Sequence, residues 1–364
     1  MTATMQALRL VAWGREPELV EVPVPAPGPG ELLLRVDAAG LCHSDLHVVD
    51  SAGRLPFSLP FTLGHEVAGM VAGVGVGVSP DWLDEPVAVH GVWSCGQCRR
   101  CAVGRESCCL RLTGPVGGGL GRDGGLAEFM LVPSERFLVK AQGLPAEELA
   151  PLTDSGLTAY HAVAANLDAV AGEGTALVVG VGGLGQYAIQ ILRSLTPATV
   201  VAVDPRRSAR ELAVRQGADH VVEDLTLVAA ALDAGSPRSE GGVDLVLDFV
   251  GSDATLAGAA RLLAPGGRLA VVGSAGGRLT ASKGPGLPRG WQLSAPFWGS
   301  RADLEAVVAM AVHGGLSGES QTGSLADAPE LYRRLRRGQI HGRAVVVPGL
   351  SSSPLSGCRT HRQH

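Results

Sequence analysis

The sequence predicts an α/β protein in which a β-rich part precedes a doubly wound parallel sheet. From about Leu152, short Val/Leu-rich runs ("TALVVG", "TVVAVD", "VDLVLDFVG", "GRLAVVG") alternate with helical stretches ("GQYAIQILRSL", "SARELAVRQGAD"). A glycine turn joins the first run to the first of these helices. Ahead of them, apolar runs are punctuated by Pro and Gly, as in "VEVPVPAPGPGELLLRVDAAG", the pattern of strands and bends. Continuous apolar strands separated by helices imply a parallel sheet covered on both faces.

Each element follows in order. "ELLLRVDAAG", "VAGMVAGVGVGV" and "EPVAVHGVW" read as strands of the first part. After about Pro296 come a helix in "SRADLEAVVAMAVHGG", a second around "PELYRRLRRGQ" and a closing strand in "GRAVVVP". The tail "SSSPLSGCRTHRQH" is polar and aperiodic and is expected to be disordered. No repeat of about 20–50 residues is present.

At 364 residues the chain has room for two domains of roughly 100–200 residues each. Its 46% apolar and 18% charged content is that of a globular protein, and with 4% aromatics the cores must be mostly Val, Leu and Ala. A net charge of −5 without a basic run gives no footprint for nucleic acid. No apolar run approaches the ~20 residues of a membrane span, and the N-terminus lacks the pattern of a secretory signal. A cytoplasmic location is expected, where seven cysteines favour metal or catalysis over disulfides.

"VVGVGGLG" places Gly180, Gly182 and Gly185 in G-x-G-x-x-G spacing, with Gly183 and Leu184 inside the turn. The strand before, the helix after and Asp204 at the end of the next strand supply the context of a dinucleotide site. One glycine makes the tight turn, one admits the pyrophosphate and one lets helix and sheet pack closely. Asp204 suits a ribose diol and repels a 2′-phosphate, which favours NAD over NADP, while Arg206 and Arg207 just beyond soften that preference.

Five cysteines crowd into "CGQCRRCAVGRESCC". Cys95, Cys98, Cys101 and Cys109 follow C-x2-C-x2-C-x7-C, with Cys108 adjacent. Four thiolates on tight loops make a closed, structural zinc site. A second set is scattered: Cys42 in "GLCHSDLH", His65 in "LGHEVAG" and Asp154 in "PLTDSGLTAYH". Beside a dinucleotide domain, one sulfur, one nitrogen and one oxygen suggest a zinc with an open fourth position.

From about residue 5 to 348 these motifs, in this order, resemble the zinc-dependent medium-chain alcohol dehydrogenases. "LTDSGLTAYH" and "FWGSRADL" look most like the bacterial secondary-alcohol dehydrogenases. The resemblance implies a GroES-like catalytic domain over 1–153 with a structural zinc lobe at 93–112. It further implies a Rossmann domain over 154–295, a return to the catalytic domain over 296–349 and a tail at 350–364. It selects Cys109 rather than Cys108 for the lobe zinc, and assigns Cys42, His65 and Asp154 to the catalytic one. Aspartate replaces the family's commoner cysteine at the last of these.

By the same resemblance Glu66 sits behind the metal, Asp45 orients His65, and Ser44 passes the alcohol proton through the nicotinamide ribose to His47. His43 and Arg343 would reach the pyrophosphate. Thr158 and Leu184 would pack the nicotinamide, and Phe249, Val250, Val272 and Gly273 would line the cofactor groove. Phe57, Trp93, Phe297 and Trp298 would wall an apolar substrate pocket. The implied reaction is reversible hydride transfer between NAD and primary or secondary alcohols, with secondary alcohols favoured, two zinc ions per chain and a homodimer or homotetramer. The alternatives are a zinc polyol dehydrogenase of the same superfamily, or a catalytically inactive zinc-stabilised nucleotide-binding protein.

Overall fold

The structure, a computed structural model, describes residues 3–51, 53–233, 242–281 and 286–349. The tail expected to be disordered, with Cys358, lies outside the described residues. The chain divides into two units: residues up to Asp154 together with those from Ser300 onward, and Ser155–Gly299.

In the first unit, Leu32–Leu41 and Glu66–Val74 are largely buried strands paired antiparallel, Gly40 opposite Glu66. Pro86–Val89 and Leu138–Lys140 extend the sheet on one side. On the other side the late strand Arg343–Val346 pairs antiparallel with Leu32–Leu41, bringing Ala344 opposite Leu41. The late segment therefore extends a sheet begun about 300 residues earlier, and places Arg343 across strand Leu32–Leu41 from the strand carrying Glu66. Helix His43–Asp50 begins directly after Leu32–Leu41, and helix Ala328–Arg336 packs against it.

In the second unit, the strands are parallel in the order His220–Val222, Thr199–Val203, Thr175–Val179, Val243–Asp248, Leu263–Val271, Gln292–Ser294. Numbered along the chain this is 3-2-1-4-5-6, the doubly wound order of dinucleotide-binding sheets. Val and Leu dominate because both sheet faces are covered: Leu177, Val201, Val246 and Leu269 are fully buried. Among the described residues, no helix is long and apolar enough to cross a membrane.

Candidate functional site

Asp45 organises the first cluster. It lies in the first turn of helix His43–Asp50, whose N-cap is Cys42. Its Oδ2 accepts the Cys42 backbone N–H at 3.0 Å and its Oδ1 lies 2.9 Å from His65 Nδ1. That contact turns His65 Nε2 towards Cys42 and Asp154, as a carboxylate behind a metal-binding imidazole does.

Asp154 arrives on an unusual turn. Leu152–Gly156 is a π-helical turn between helices Ala146–Pro151 and Leu157–Ala164. Pro151 has no N–H to continue the regular ladder, and a widened turn accommodates that loss. The Thr153 hydroxyl fixes the turn, accepting from Val67 N–H at 3.1 Å and donating to the Ala150 carbonyl at 2.8 Å.

The outcome is a convergence of Cys42, His65, Glu66 and Asp154, all buried. Asp154 Oδ2 is 3.6 Å from Cys42 Sγ and 3.5 Å from His65 Nε2. Sulfur, nitrogen and oxygen ligands at tetrahedral angles about Zn²⁺ stand about 3.4–3.6 Å apart, so the donor set fits zinc. Burial pushes the Cys42 thiol up, but the Arg343 charge and the contact with His65 outweigh burial and Asp154 and bring it below its ordinary value. Burial opposes charge on His65, yet Asp45 and the hydrogen bonds of Asp154 and Asp45 hold it well above its usual value.

Glu66 reaches this point because residue 40 is glycine: a Cβ there would lie 2.0 Å from Glu66 Oε2. Arg343, expected to reach a pyrophosphate, is seated on Glu66. Its Nε donates to Oε2 at 3.0 Å, its Nη2 pairs with Oε1 and stands 3.6 Å from Asp154, and the side chain is buried. Tyr332 had no sequence signal beyond a helical core position. Its hydroxyl donates to Asp45 Oδ2 at 2.9 Å, and burial together with the Asp45 charge raises its pKa well above the usual value, so it stays a donor. Ser44 Oγ is 3.5 Å from Cys42 Sγ, while His43 and His47 are exposed on the same helix.

Cys95, Cys98, Cys101 and Cys109 form the second cluster. Their Sγ separations include 3.5 Å (Cys98–Cys101), 3.9 Å (Cys95–Cys101) and 4.0 Å (Cys98–Cys109). Tetrahedral Zn²⁺ with ligands at about 2.3 Å requires about 3.8 Å between sulfurs, and a disulfide requires about 2.05 Å. Backbone N–H groups of Cys95 and Arg111 point at Cys109 Sγ, each at 3.4 Å. Hydrogen bonds from the Cys101 and Leu110 backbone bring Cys98 down to about 6, whereas burial and then Cys98 push Cys101 up to about 12. Cys108 is exposed, outside the cluster.

In the second unit, Gly180 follows strand Thr175–Val179 at φ +87° and helix Gly185–Leu195 begins after Leu184. A Cβ on Gly185 would lie 2.1 Å from the Gly180 carbonyl, so only glycine allows this helix–turn approach. Val181 N–H donates to Asp204 Oδ2 at 2.9 Å. Phe249, Val250, Val272 and Gly273 follow the ends of the next two strands and are half-buried; Thr158 is buried. Of the aromatic candidates, Phe57 packs edge-on against Phe61 and Trp93 beside Phe137, both in the first unit. Phe297 and Trp298 pair with each other in the second.

Known proteins give the same reading. Residues 28–143 match the family described as "Alcohol dehydrogenase GroES-like domain" and residues 183–313 match "Zinc-binding dehydrogenase". An NAD-dependent alcohol dehydrogenase of Sulfurisphaera tokodaii is 35% identical, the match covering 94% of this chain and 100% of that one. A D-arabinose 1-dehydrogenase (NADP(+)) of Saccharolobus solfataricus is 33% identical over 92% of this chain and 95% of its own. The solved alcohol dehydrogenase of Aeropyrum pernix superposes with a TM-score of 0.86 at 34% identity, covering 94% of this chain and 100% of that one. With both domain matches, a relative matched along its whole length and a donor set that fits zinc, the chain belongs to the zinc-dependent medium-chain alcohol dehydrogenases.

Proposed function

We propose that this chain is an NAD-linked alcohol dehydrogenase acting on apolar alcohols and the matching carbonyl compounds, secondary alcohols favoured. The convergence of Cys42 Sγ, His65 Nε2 and Asp154 Oδ2 is the observation that supports it most directly. A zinc ion held there supplies Lewis acidity to an alcohol or carbonyl oxygen, and NAD accepts or returns the hydride.

The chain's own residues do the rest. Asp45 fixes the His65 tautomer, leaving Nε2 as the ligand atom. Ser44, half-buried beside Cys42, takes the alcohol proton, and exposed His47 on the same helix passes it to water. Glu66, held by Arg343, stands behind the three ligands. In the other unit, the Gly180–Gly185 turn and the start of the following helix offer backbone N–H groups to a pyrophosphate. Cys95, Cys98, Cys101 and Cys109 hold a structural zinc that fixes a loop poor in core of its own.

The D-arabinose dehydrogenase relative supports a second reading, a polyhydroxylated substrate. Steady-state NAD reduction with 2-alkanols, primary alcohols, sorbitol and D-arabinose decides between them. Higher kcat/KM for 2-alkanols supports the first reading, and preference for sorbitol or D-arabinose overturns it.

A further inference from the structure

The Asp204 carboxylate is already full. Oδ1 accepts the Arg206 backbone N–H at 2.9 Å and Arg206 Nε–H at 3.0 Å. Oδ2 accepts Val181 N–H at 2.9 Å and Arg206 Nη2–H at 2.8 Å. An ionised carboxylate offers about four lone-pair sites, and four donors occupy them. A ribose diol that needs Asp204 must displace the Arg206 side chain, which supplies two of the four.

The position of the guanidinium adds to this. Among the described residues other than Gly182 and its two chain neighbours, Arg206 Nη2 is the atom nearest to where a Cβ on Gly182 would stand, at 3.9 Å. It therefore lies over the glycine whose bare backbone admits the dinucleotide. Its side chain is 45% exposed against 3% for Asp204, so it can leave without opening the core. Next to it Arg207, 87% exposed, makes a surface pair with Glu211. Once Arg206 moves off Asp204, two guanidinium groups are available near the ribose, and guanidinium is the group best shaped to take a phosphate by paired hydrogen bonds.

We propose that Arg206 is a specificity-determining residue, a cationic gate that makes this site bind NADP as well as NAD. It competes with the ribose diol for Asp204, which weakens NAD, and it receives the 2′-phosphate that Asp204 alone would repel, which admits NADP. Its two effects have opposite sign for the two cofactors, and that separates a gate from a residue that merely adds affinity. The proposal rests on the dinucleotide reading of the glycine turn.

The test is equilibrium binding of NADH and NADPH to the zinc-loaded full chain, by titration calorimetry, for the unaltered protein, Arg206→Ala and Arg206→Lys. The unaltered chain binds both. Arg206→Ala tightens NADH about threefold and weakens NADPH by about tenfold or more. Arg206→Lys, which keeps charge but loses the fork, retains NADPH better than Arg206→Ala does, and remains as a measurement should Arg206→Ala fail to fold. A ratio of the two dissociation constants that neither variant shifts overturns the proposal, as does parallel weakening of both cofactors. Failure of the unaltered chain to bind either one overturns the nucleotide site itself and the gate with it, whereas binding without alcohol turnover removes only the catalytic reading.

Discussion

Tyr332 donates its hydroxyl to Asp45 Oδ2 at 2.9 Å, and the same oxygen accepts the Cys42 N–H while the other holds His65. One buried carboxylate thus positions two proposed zinc ligands, and a tyrosine 287 residues further along the chain holds that carboxylate in turn. Tyr332→Phe removes one hydrogen bond to a buried charge, a loss of about 1.5–3 kcal/mol. We expect a lower unfolding midpoint and faster release of one zinc to a chelator, with the lobe zinc unaffected. Unchanged release kinetics contradict the role.

One turn further along the same helices, Arg336 reaches Asp50 at 2.6 Å, with both side chains about half exposed. The hydrogen bond from Arg336 holds the Asp50 carboxyl below the usual carboxylate range. A carboxyl lowered in the folded state adds stability above its unfolded pKa, and that stability disappears as pH falls through the folded value. Half-exposed pairs contribute no more than about 1 kcal/mol. Asp50→Asn should therefore cost less than Tyr332→Phe at pH 7, and its cost should vanish in acid. A cost that persists below the carboxylate range argues against the ion pair.

Asp154→Ala removes the oxygen donor 3.5–3.6 Å from the other two. Two remaining ligands do not hold zinc as three do, so metal content should fall by one ion per chain and alcohol oxidation should be lost. The sulfur cage is built from separate residues and should keep its ion. Asp154→Cys, which restores a donor, should recover metal. Full zinc content in Asp154→Ala would refute the ligand assignment.

The site was legible where chemistry is local and illegible where it depends on distant strands. The glycine turn and the cysteine cluster are written within 15 residues each, because a tight turn or a metal cage imposes its own spacing. The contact of Arg343 with Glu66 was hidden because nothing in "GRAVVVP" tells which strand it pairs with. Pairing with Leu32–Leu41 sets it against Glu66. Tyr332 was hidden for the same reason, since a helical core position does not name its partner. Arg206 was legible as a charge beside Asp204, but the two hydrogen bonds its side chain gives that carboxylate depend on a rotamer.

Cys108→Ser should leave both zinc content and the unfolding midpoint unchanged, because Cys108 is exposed and lies 4.0 Å from its neighbour Ser107 rather than among the sulfurs. Cys109→Ser replaces the sulfur that takes the Cys95 and Arg111 N–H groups and stands 4.0 Å from Cys98. It should lose one zinc and lower the unfolding midpoint. Reversal of the two outcomes would move the fourth ligand to Cys108.

Asp248 ends strand Val243–Asp248 fully buried, and its Oδ1 accepts the N–H groups of Val250 and Gly251 at 2.8 and 2.9 Å. Its backbone carbonyl accepts those of Val272 and Gly273, each at 2.9 Å. One residue therefore ties both loops proposed to line the cofactor groove, and seats Val250 where a Cβ on Gly180 would meet it at 2.8 Å. Asp248→Ala strands two N–H groups at about 1–3 kcal/mol each, so we expect about 2–6 kcal/mol of lost stability and weaker NADH binding. Asp248→Asn keeps an oxygen on both donors. Among the described residues Oδ2 has no hydrogen-bond partner, so an NH₂ group there disrupts no existing donor. It should cost about 1 kcal/mol or less and bind NADH nearly as the unaltered chain does. Equal losses in the two variants, measured by urea unfolding and NADH titration, would show that the negative charge rather than the acceptor geometry holds the loops.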